Sequence, residues 1–315
     1  MTLRLGVVMD PIDSITPYKD TTLALLLEAQ SRGWPIHYMT LADLFIQEGV
    51  AYGHGHALTV RDDNHDWHHL GEATTLPLGE LDAILMRKDP PFDTEYVYAT
   101  YILERAQAAG CLIVNRPSAL RDVNEKMAIT AFPELCAPTI VTRSAAAVRQ
   151  FLEAQGEIVL KPLDGMGGSR IFRVGRGDPN LSVILEVLTE HGTRFAMAQA
   201  YLPAISAGDK RILVIDGEPV PYSLARIPAA GESRGNLAAG GRGEGMPLTD
   251  GERAICAAVA PMLRERGLLF AGLDVIGDRL TEINVTSPTC MRELQGLYNI
   301  NIAGQLLDAV ADRIT

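Results

Sequence analysis

Short apolar runs alternate with longer amphipathic stretches over the first part of the chain. Residues 5–9 and 36–39 are apolar runs of strand length, and a helical pattern from Thr21 to Gly33 lies between them. Residues 51–80 are less regular and are predicted to form a hairpin excursion. Because strands and helices alternate, the pattern predicts a parallel α/β layer, completed by a strand at 82–86, a helix at 94–109 and a strand at 111–114.

The same alternation continues in two further units. The second is predicted to have strands at 139–142, 158–161, 171–174 and 195–199 and helices at 144–154 and 181–188. The third is predicted to have strands at 211–215, 220–227, 269–276 and 280–285 and helices at 249–266 and 300–313. Residues 228–245 carry six glycines and almost no apolar periodicity, which predicts a long functional or disordered loop. The three units are predicted to span 1–123, 124–200 and 201–315.

Composition and charge exclude several classes of protein. Hydrophobic residues make up 47% of the 315 residues and charged residues 21%, and no apolar run approaches the ~20 residues of a membrane span. The net charge of −11 repels nucleic acid and anionic membranes, so an anionic ligand must meet locally placed lysine, arginine or metal. The N-terminus does not resemble a signal peptide. The scattered cysteines, Cys111, Cys136, Cys256 and Cys290, predict reduced thiols in a cytoplasm.

A predicted hairpin near the C-terminus carries three oxygen-bearing side chains. Gly277 and Asp278 separate two apolar strands, which is a strong hairpin signal. Asp274 lies on the first strand, and Glu282 and Asn284 share one face of the second. Oxygen donors of this kind suit Mg²⁺, which keeps waters and bridges phosphates. The alternative is a solvated polar face on an amphipathic hairpin.

The register of this hairpin decides between the two interpretations. A two-residue loop places Asp274 opposite Thr281 and turns Glu282 away from it. A three-residue loop places Asp274 opposite Glu282 and Gly272 opposite Asn284, so that the three oxygen ligands converge on one face. The magnesium hypothesis therefore requires the three-residue loop.

A glycine-dense segment follows a predicted strand that ends in lysine. Residues 161–169 read Lys-Pro-Leu-Asp-Gly-Met-Gly-Gly-Ser, with the lysine before the glycines, which excludes a Walker A loop. Arg170 stands where a dinucleotide-binding fingerprint has its third glycine. Close backbone approach and the charge of Lys161 still suit a phosphate group. The alternative is a tight turn between two strands.

Other polar residues leave two interpretations open. Lys126, near a predicted helix start, is either a solvated surface charge or a ligand contact. Arg211 and Arg226 lie on predicted strands, where each is a rim residue or an anion clamp, because burying an unpaired guanidinium is costly. The histidines within residues 53–69 invite a metal hypothesis, but their spacing fits no helical pair and favours an exposed polar excursion.

Together these segments resemble the ATP-grasp superfamily, and the chain resembles prokaryotic glutathione synthetase along essentially its whole length. The resemblance is carried by residues 86–93 (MRKDPPFD), 161–169, 235–243 (GNLAAGGRG) and 281–289 (TEINVTSPT). The first and third are specific to that family, and the others are shared with related ligases. The resemblance implies an α/β and α+β architecture, in which an ATP-grasp fold follows an N-terminal Rossmann-like domain with a parallel sheet.

The resemblance also implies roles for individual residues. ATP would be bound by Lys126, Lys161, Gly167, Gly168, Ser169, Gln199, Ala200, Tyr201, Leu202 and Asp209. Mg²⁺ or Mn²⁺ would be held by Asp274, Glu282 and Asn284, and Arg211 and Arg226 would face the transferring phosphoryl group. The acid and amine substrates would meet Asp10, Arg87, Arg234, Gly240, Gly241, Ser287 and Thr289. The chain departs from the superfamily pattern at Gln199-Ala200, where many members carry an acidic residue.

The expected reaction is phosphoryl transfer from ATP to a carboxylate, followed by attack of an amine on the acyl phosphate. Such chemistry needs positioning and charge neutralisation more than a protein nucleophile, and residues 228–245 are predicted to form a lid that excludes water. The resemblance implies γ-glutamylcysteine and glycine as substrates and a cytoplasmic homo-oligomer, specifically a tetramer. The alternatives are a ligase for other small acids and amines, and a non-catalytic ATP-binding module.

Overall fold

The computed structural model describes residues 2–229, 235 and 240–314. Within this part of the chain, sixteen strands form three sheets, and eight α-helices pack around them. None of the described helices is both long enough and apolar enough to cross a membrane. All four cysteines are buried and none forms a disulfide.

The first sheet has a parallel centre and an antiparallel extension. Its strand order is β3-β4-β2-β1-β6-β7, with β5 paired to β4, and the β1–β2, β1–β6 and β6–β7 pairs are parallel. The elements are β1 Leu5–Val8, α1 Thr21–Ser31, β2 Ile36–Met39, β3 Leu44–Gln47, β4 Val50–Val60, β5 His68–Pro77, β6 Ala83–Met86, α2 Thr94–Ala108, β7 Leu112–Val114 and α3 Pro117–Asp122.

The apolar pattern explains the parallel centre. All four residues of β1, β2 and β6 are buried, as expected for strands covered on both faces. The α1 helix begins where Asp20 Oδ1 accepts a hydrogen bond from the Leu23 amide at 2.6 Å. The predicted parallel α/β layer is therefore confirmed, and the excursion at 51–80 contains a hairpin of β4 and β5 with one register shift, between His56 and Leu58.

The second sheet is antiparallel, with strand order β10-β9-β11-β8. It packs on two helices through a separate apolar core that includes Val148, Leu152, Ile158 and Leu160. The glycine-dense segment lies between β9 and β10. The elements are β8 Thr139–Thr142, α4 Ala145–Gln155, β9 Glu157–Pro162, β10 Phe172–Gly175, α5 Leu181–Thr189 and β11 Ala196–Ala200.

The third sheet is also antiparallel, with strand order β14-β13-β12-β15-β16. Its elements are β12 Asp209–Ile215, β13 Glu218–Ile227, β14 Arg242–Pro247, α6 Asp250–Arg266, β15 Phe270–Ile276, β16 Arg279–Asn284, α7 Met291–Tyr298 and α8 Ile302–Ile314.

The first and third sheets share their hydrophobic packing. One buried cluster joins Val8 and Ile84 to Leu273, and a second joins Leu5 to Phe270. Asn115, which follows β7, adds a polar link: its amide nitrogen donates to the carbonyls of Phe270 and Val285, each at 2.7 Å. Apolar burial and this link hold β15 and β16 against the first sheet.

The prediction of an open loop at 228–245 is wrong at its C-terminal end. Residues 242–247 form β14, which pairs with β13. A Cβ atom at Gly245 would come within 2.6 Å of the Tyr298 ring, so this glycine permits close packing of the strand on α7. Of the remaining loop, residues 230–234 and 236–239 lie outside the described residues, and so does the predicted substrate residue Arg234. The proposed lid therefore stays a prediction.

Candidate active site

A cavity of about 660 Å³ is lined by residues from all three sheets. The first sheet and its loops contribute Asp10, Lys19 and Arg87. The second contributes Lys161, the glycine loop and the strand end 199–202, and the third contributes residues of β12, β13, β15 and β16. The cavity therefore brings together residues that are up to 284 positions apart in the chain, Met9 and Glu293.

The hairpin of β15 and β16 has the register that a metal site requires. Asp274 lies opposite Glu282 and Gly272 opposite Asn284. The predicted three-residue loop is wrong, because Ile276 pairs with Arg279 across a two-residue turn. A β-bulge at Thr281, whose hydroxyl donates to the Asp274 carbonyl at 3.0 Å, shifts the register by one residue. Both carboxylates and Asn284 line the same cavity.

Asp274 is held between two buried arginines. Arg211 contacts both of its carboxylate oxygens, Nε–Oδ1 at 2.6 Å and Nη2–Oδ2 at 3.2 Å, and Arg226 Nη2 lies 3.0 Å from Oδ2. Burial opposes ionisation of this carboxyl, but the two guanidinium groups outweigh it and hold the pKa of Asp274 well below its usual range. Both arginines line the cavity, with 6% and 5% of their surface exposed, so neither is a rim residue.

Asp209 competes with Asp274 for Arg226. Arg226 Nη2 donates to Asp209 Oδ2 at 2.6 Å, while the other oxygen, Oδ1, is buried with no hydrogen-bond partner. Burial raises the pKa of Asp209 to about 6, against the opposing effect of Arg226. When two carboxylates share one cation, their pKa values move apart, and the better paired carboxylate stays ionised.

Two lysines converge on Glu282. Lys126 Nζ lies 3.4 Å and Lys161 Nζ 3.9 Å from Glu282 Oε1. Lys126 is only 3% exposed and donates to the Gly165 carbonyl at 2.6 Å, so its interpretation as a solvated surface charge is wrong. Burial lowers the pKa of Lys161, and the nearby Glu282 carboxylate opposes that shift. Together with Arg211 and Arg226, these two lysines line one cavity, and a cluster of four cationic side chains suits a polyanion.

The predicted nucleotide contacts lie mostly in the cavity wall. Gly167 and Gly168 line it with φ of +63° and +76°, a backbone conformation that favours glycine, whereas Ser169 does not line it. Residues 199–202 line it as well. The Gln199 side chain donates to Thr139 Oγ1 at 2.9 Å, on β8.

Several of the residues predicted to meet the acid and the amine also line the cavity. Arg87 is buried, donates through Nε to Thr22 Oγ1 at 3.1 Å and through Nη2 to the Pro288 carbonyl at 2.9 Å, and its Nη1 has no partner. Asp10 pairs with Lys88 at 2.8 Å. Ser287 and Thr289 also line the cavity, whereas Gly240 and Gly241 do not.

Several lining residues escaped the sequence analysis. They include Lys19, Asp20, Glu125 and Glu293, and Glu125 Oε1 accepts a hydrogen bond from Thr286 at 2.8 Å. Asp20 caps α1 and Glu293 lies in the first turn of α7, which are ordinary local patterns. Nothing local distinguishes such residues from surface charges.

The donor set at the hairpin fits a hard divalent cation. Two carboxylates and one amide oxygen are the oxygen ligands that Mg²⁺ takes together with waters and phosphates. The Asn284 side-chain nitrogen donates to the Gly272 carbonyl at 3.2 Å, which leaves its oxygen as the acceptor for a metal. Among the described residues no cluster of three or more histidine, cysteine, aspartate or glutamate side chains is suited to a metal, so this site relies on Asn284.

The histidines at 53–69 have other surroundings. His54 and His56 lie within β4, not in exposed turns as predicted, and His68 and His69 lie in β5. His54 Nδ1 is 2.7 Å from Thr75 Oγ1, and His56 Nδ1 is 2.9 Å from the Gly71 carbonyl. These contacts tie the two strands of the hairpin together.

Comparison with known proteins places this site in a family. Residues 3–121 match the N-terminal domain of prokaryotic glutathione synthetase, and residues 125–299 match its ATP-grasp domain. The glutathione synthetase of Vibrio cholerae is 59% identical over 312 residues, 99% of this chain and 98% of that protein. That of Photorhabdus laumondii is 58% identical over 313 residues, 99% of each chain.

Solved structures of lower identity share the fold. The D-cycloserine synthetase DcsG is 17% identical, with a TM-score of 0.69 over 99% of this chain and 100% of that one. The ATP-grasp ligase PsnB, complexed with a minimal precursor, Mg and ADP, is 18% identical, with a TM-score of 0.63 over 98% of each chain. The family matches span nearly the whole sequence, and the chain therefore belongs to the prokaryotic glutathione synthetase family.

Proposed function

We propose that the chain joins γ-glutamylcysteine to glycine at the expense of ATP, releasing glutathione, ADP and phosphate. The observation that carries the proposal is the single cavity in which Lys126, Lys161, Arg211, Arg226 and the β15–β16 hairpin converge. The relatives that are 58–59% identical over almost their full length carry the name glutathione synthetase, which supports this acid and this amine.

ATP is proposed to bind between the second and third sheets. Its phosphates would meet Lys126, Lys161 and the backbone of Gly167 and Gly168, whose positive φ angles let a ligand approach the chain closely. The adenine would lie against the strand end 199–202. Asp209, with its unpartnered Oδ1, is the nearby acceptor for ribose hydroxyls.

Asp274, Glu282 and Asn284 are proposed to hold a divalent cation, Mg²⁺ or Mn²⁺. Such an ion supplies charge neutralisation to phosphate oxygens when it is bound. Glu282 contacts its lysine partners through Oε1, and Asp274 contacts its arginine partners through both oxygens, so cationic side chains lie directly beside the proposed ion. These side chains would contact substrate oxygens next to it.

The chemistry needs no protein nucleophile. A carboxylate oxygen of the acid bonds to the γ-phosphorus as the bond to the bridging oxygen of ADP breaks, which gives an acyl phosphate. The amine nitrogen then bonds to the acyl carbon, loses a proton, and phosphate leaves. Arg211 and Arg226, buried beside this site, would stabilise the negative charge that develops in both steps.

The test is ADP release by the purified protein with Mg-ATP, γ-glutamylcysteine and glycine, with one component omitted at a time. Turnover that requires all components supports the proposal. Turnover with a different acid and amine would identify a sister ligase instead. ATP binding without any turnover would identify a non-catalytic module, although the retained metal-ligand types and lysines argue against it.

Lys161→Met is expected to weaken ATP binding by roughly a hundred-fold without destabilising the fold. The change removes a charge-assisted contact to phosphate. It also removes a buried ammonium whose lowered pKa shows that folding disfavours its charged form, so the urea midpoint should stay equal or rise. Calorimetric titration with a non-hydrolysable ATP analogue measures the affinity. Unchanged affinity would remove Lys161 from the phosphate site.

We further propose a cytoplasmic homo-oligomer, specifically a tetramer, with domain boundaries at residues 1–123, 124–200 and 201–315. Sedimentation velocity measures the oligomeric state directly, and a monomer at micromolar concentration would contradict the proposed tetramer. The boundaries follow the three sheets, whose strands lie within residues 5–114, 139–200 and 209–284.

A further inference from the structure

The segment that joins β1 to α1 forms one wall of the cavity but has little regular structure of its own. We call residues 12–19 the cavity loop. It contains two short 3₁₀ turns, Ile12–Ser14 and Pro17–Lys19. Four of its side chains line the cavity: Ser14, Ile15, Thr16 and Lys19. The α1 helix that follows carries Thr22, the partner of Arg87, so the loop lies on the acid-substrate side of the cavity.

The turn of the β4–β5 hairpin contacts this loop. We call residues 61–68 the hairpin tip. Trp67 Nε1 donates to the Ile12 carbonyl at 3.1 Å, and His68 Nε2 lies 3.1 Å from Asp13 Oδ1. Trp67 and Ile15 also pack against the same buried cluster. The tip therefore provides hydrogen bonds and apolar contact that the loop cannot supply for itself.

Arg292 joins the tip to the loop a second time. Its Nη1 donates to the Pro17 carbonyl at 3.0 Å and its Nη2 to Asp62 Oδ1 at 2.5 Å. The Arg292 side chain is 17% exposed and its bond to the Pro17 carbonyl is partly buried, whereas Asp62 is 66% exposed. On the same helix, Glu293 lines the cavity, which places this link next to the substrate wall.

We propose that the hairpin tip positions the cavity loop and thereby sets the affinity for the carboxylate substrate. The positioning residues are Trp67, in the tip, and Arg292, on α7, which links the tip to the loop. A loop with few internal hydrogen bonds takes its position from its neighbours, and small displacements of substrate-binding groups are costly. The groups proposed to hold ATP lie on the second and third sheets or in segments beside them. The inference rests on the proposed function, because the affected ligand is its acid substrate.

Trp67→Phe tests the inference because it keeps an aromatic ring and removes only the N–H donor. We expect the KM for γ-glutamylcysteine to rise roughly five-fold, the equivalent of one lost hydrogen bond, with kcat and the KM values for ATP and glycine within about two-fold. Arg292→Met should act in the same direction, and Arg292→Lys should recover part of the loss. Asp66→Asn, whose partner Arg61 lies within the same tip, is the control and should change nothing.

A second readout does not depend on turnover. Trp34 and Trp67 are the two tryptophans of the chain, so Trp34→Phe leaves Trp67 as the sole reporter. Its emission should shift on titration with γ-glutamylcysteine alone. The inference is overturned if the acid KM is unmoved in Trp67→Phe and Arg292→Met while wild type makes glutathione, or if all KM values rise together. An inactive wild type would overturn the proposed function and this inference with it.

Discussion

Replacing Glu282 by glutamine is expected to lower kcat/KM by about 10²–10³ while the protein stays folded. The substitution keeps the shape of the side chain and removes one of the two carboxylate charges proposed to bind the divalent cation. Glu282 is 20% exposed and lies 3.4 and 3.9 Å from its lysine partners, farther than Asp274 lies from its arginines, so its substitution should cost less stability than Asp274→Asn. Steady-state kinetics measure the loss, and Mn²⁺ titration followed by electron paramagnetic resonance measures the metal affinity in the presence of nucleotide.

Glu218→Gln is the matched control for this experiment. Glu218 begins β13 on the same sheet, but it is 78% exposed and pairs with Arg264 away from the cavity. Its substitution should leave both activity and metal affinity unchanged. A Glu282→Gln protein with near-normal turnover and Mn²⁺ affinity would exclude Glu282 from the metal site.

Asp274→Asn is expected to lose activity to a similar extent and, unlike Glu282→Gln, to destabilise the fold. The carboxylate is 5% exposed and lies between two arginines that are as deeply buried. Removing its charge takes the carboxylate partner from Arg211 and leaves Arg226 with Asp209, and breaking a buried pair in this way costs about 3–5 kcal/mol. Urea denaturation at neutral pH, in the absence of nucleotide, measures this difference as a lower midpoint.

The loss of stability in Asp274→Asn should depend on pH. Because the folded protein holds the pKa of Asp274 below its usual value of 3.8, this carboxylate stabilises the fold above about pH 4, and the contribution is lost as the pH falls further. The difference in stability between wild type and Asp274→Asn should therefore shrink in acid. Asp216→Asn, which removes an exposed pair with Arg313, is the control and should change the free energy of unfolding by less than about 1 kcal/mol. Equal effects of both substitutions would contradict the buried pairing.

Much of the secondary structure could be predicted because its signals are local. The strands at 36–39 and 139–142 have the predicted bounds, and α1 follows a capping aspartate. Each needs only a short run of apolar residues and a nearby cap or stop. The α7 helix and the β14 strand were not predicted, since β14 is polar and glycine-rich and depends on pairing with β13 and packing on Tyr298.

The hairpin of β15 and β16 has the strand pairing that the metal hypothesis requires, although the loop length predicted for it is wrong. The magnesium hypothesis required a three-residue loop from Gly277 to Arg279, whereas the structure has a two-residue turn. A bulge at Thr281 then brings Glu282 opposite Asp274. Bulges depend on the packing of both strands against the rest of the sheet, so the turn residues alone do not reveal them.

The sequence by itself determined the alternation of strands and helices, the family, and the residue types that a cation and a polyphosphate require. Only the tertiary structure decided which charges are buried and which partners they have. Lys126 meets Gly165, and Arg211 meets Asp274 across 63 positions, and neither contact has a local signature. The physical reason is that burial and ion pairing depend on distances set by the packing of three sheets, whereas periodicity and caps depend on neighbours along the chain.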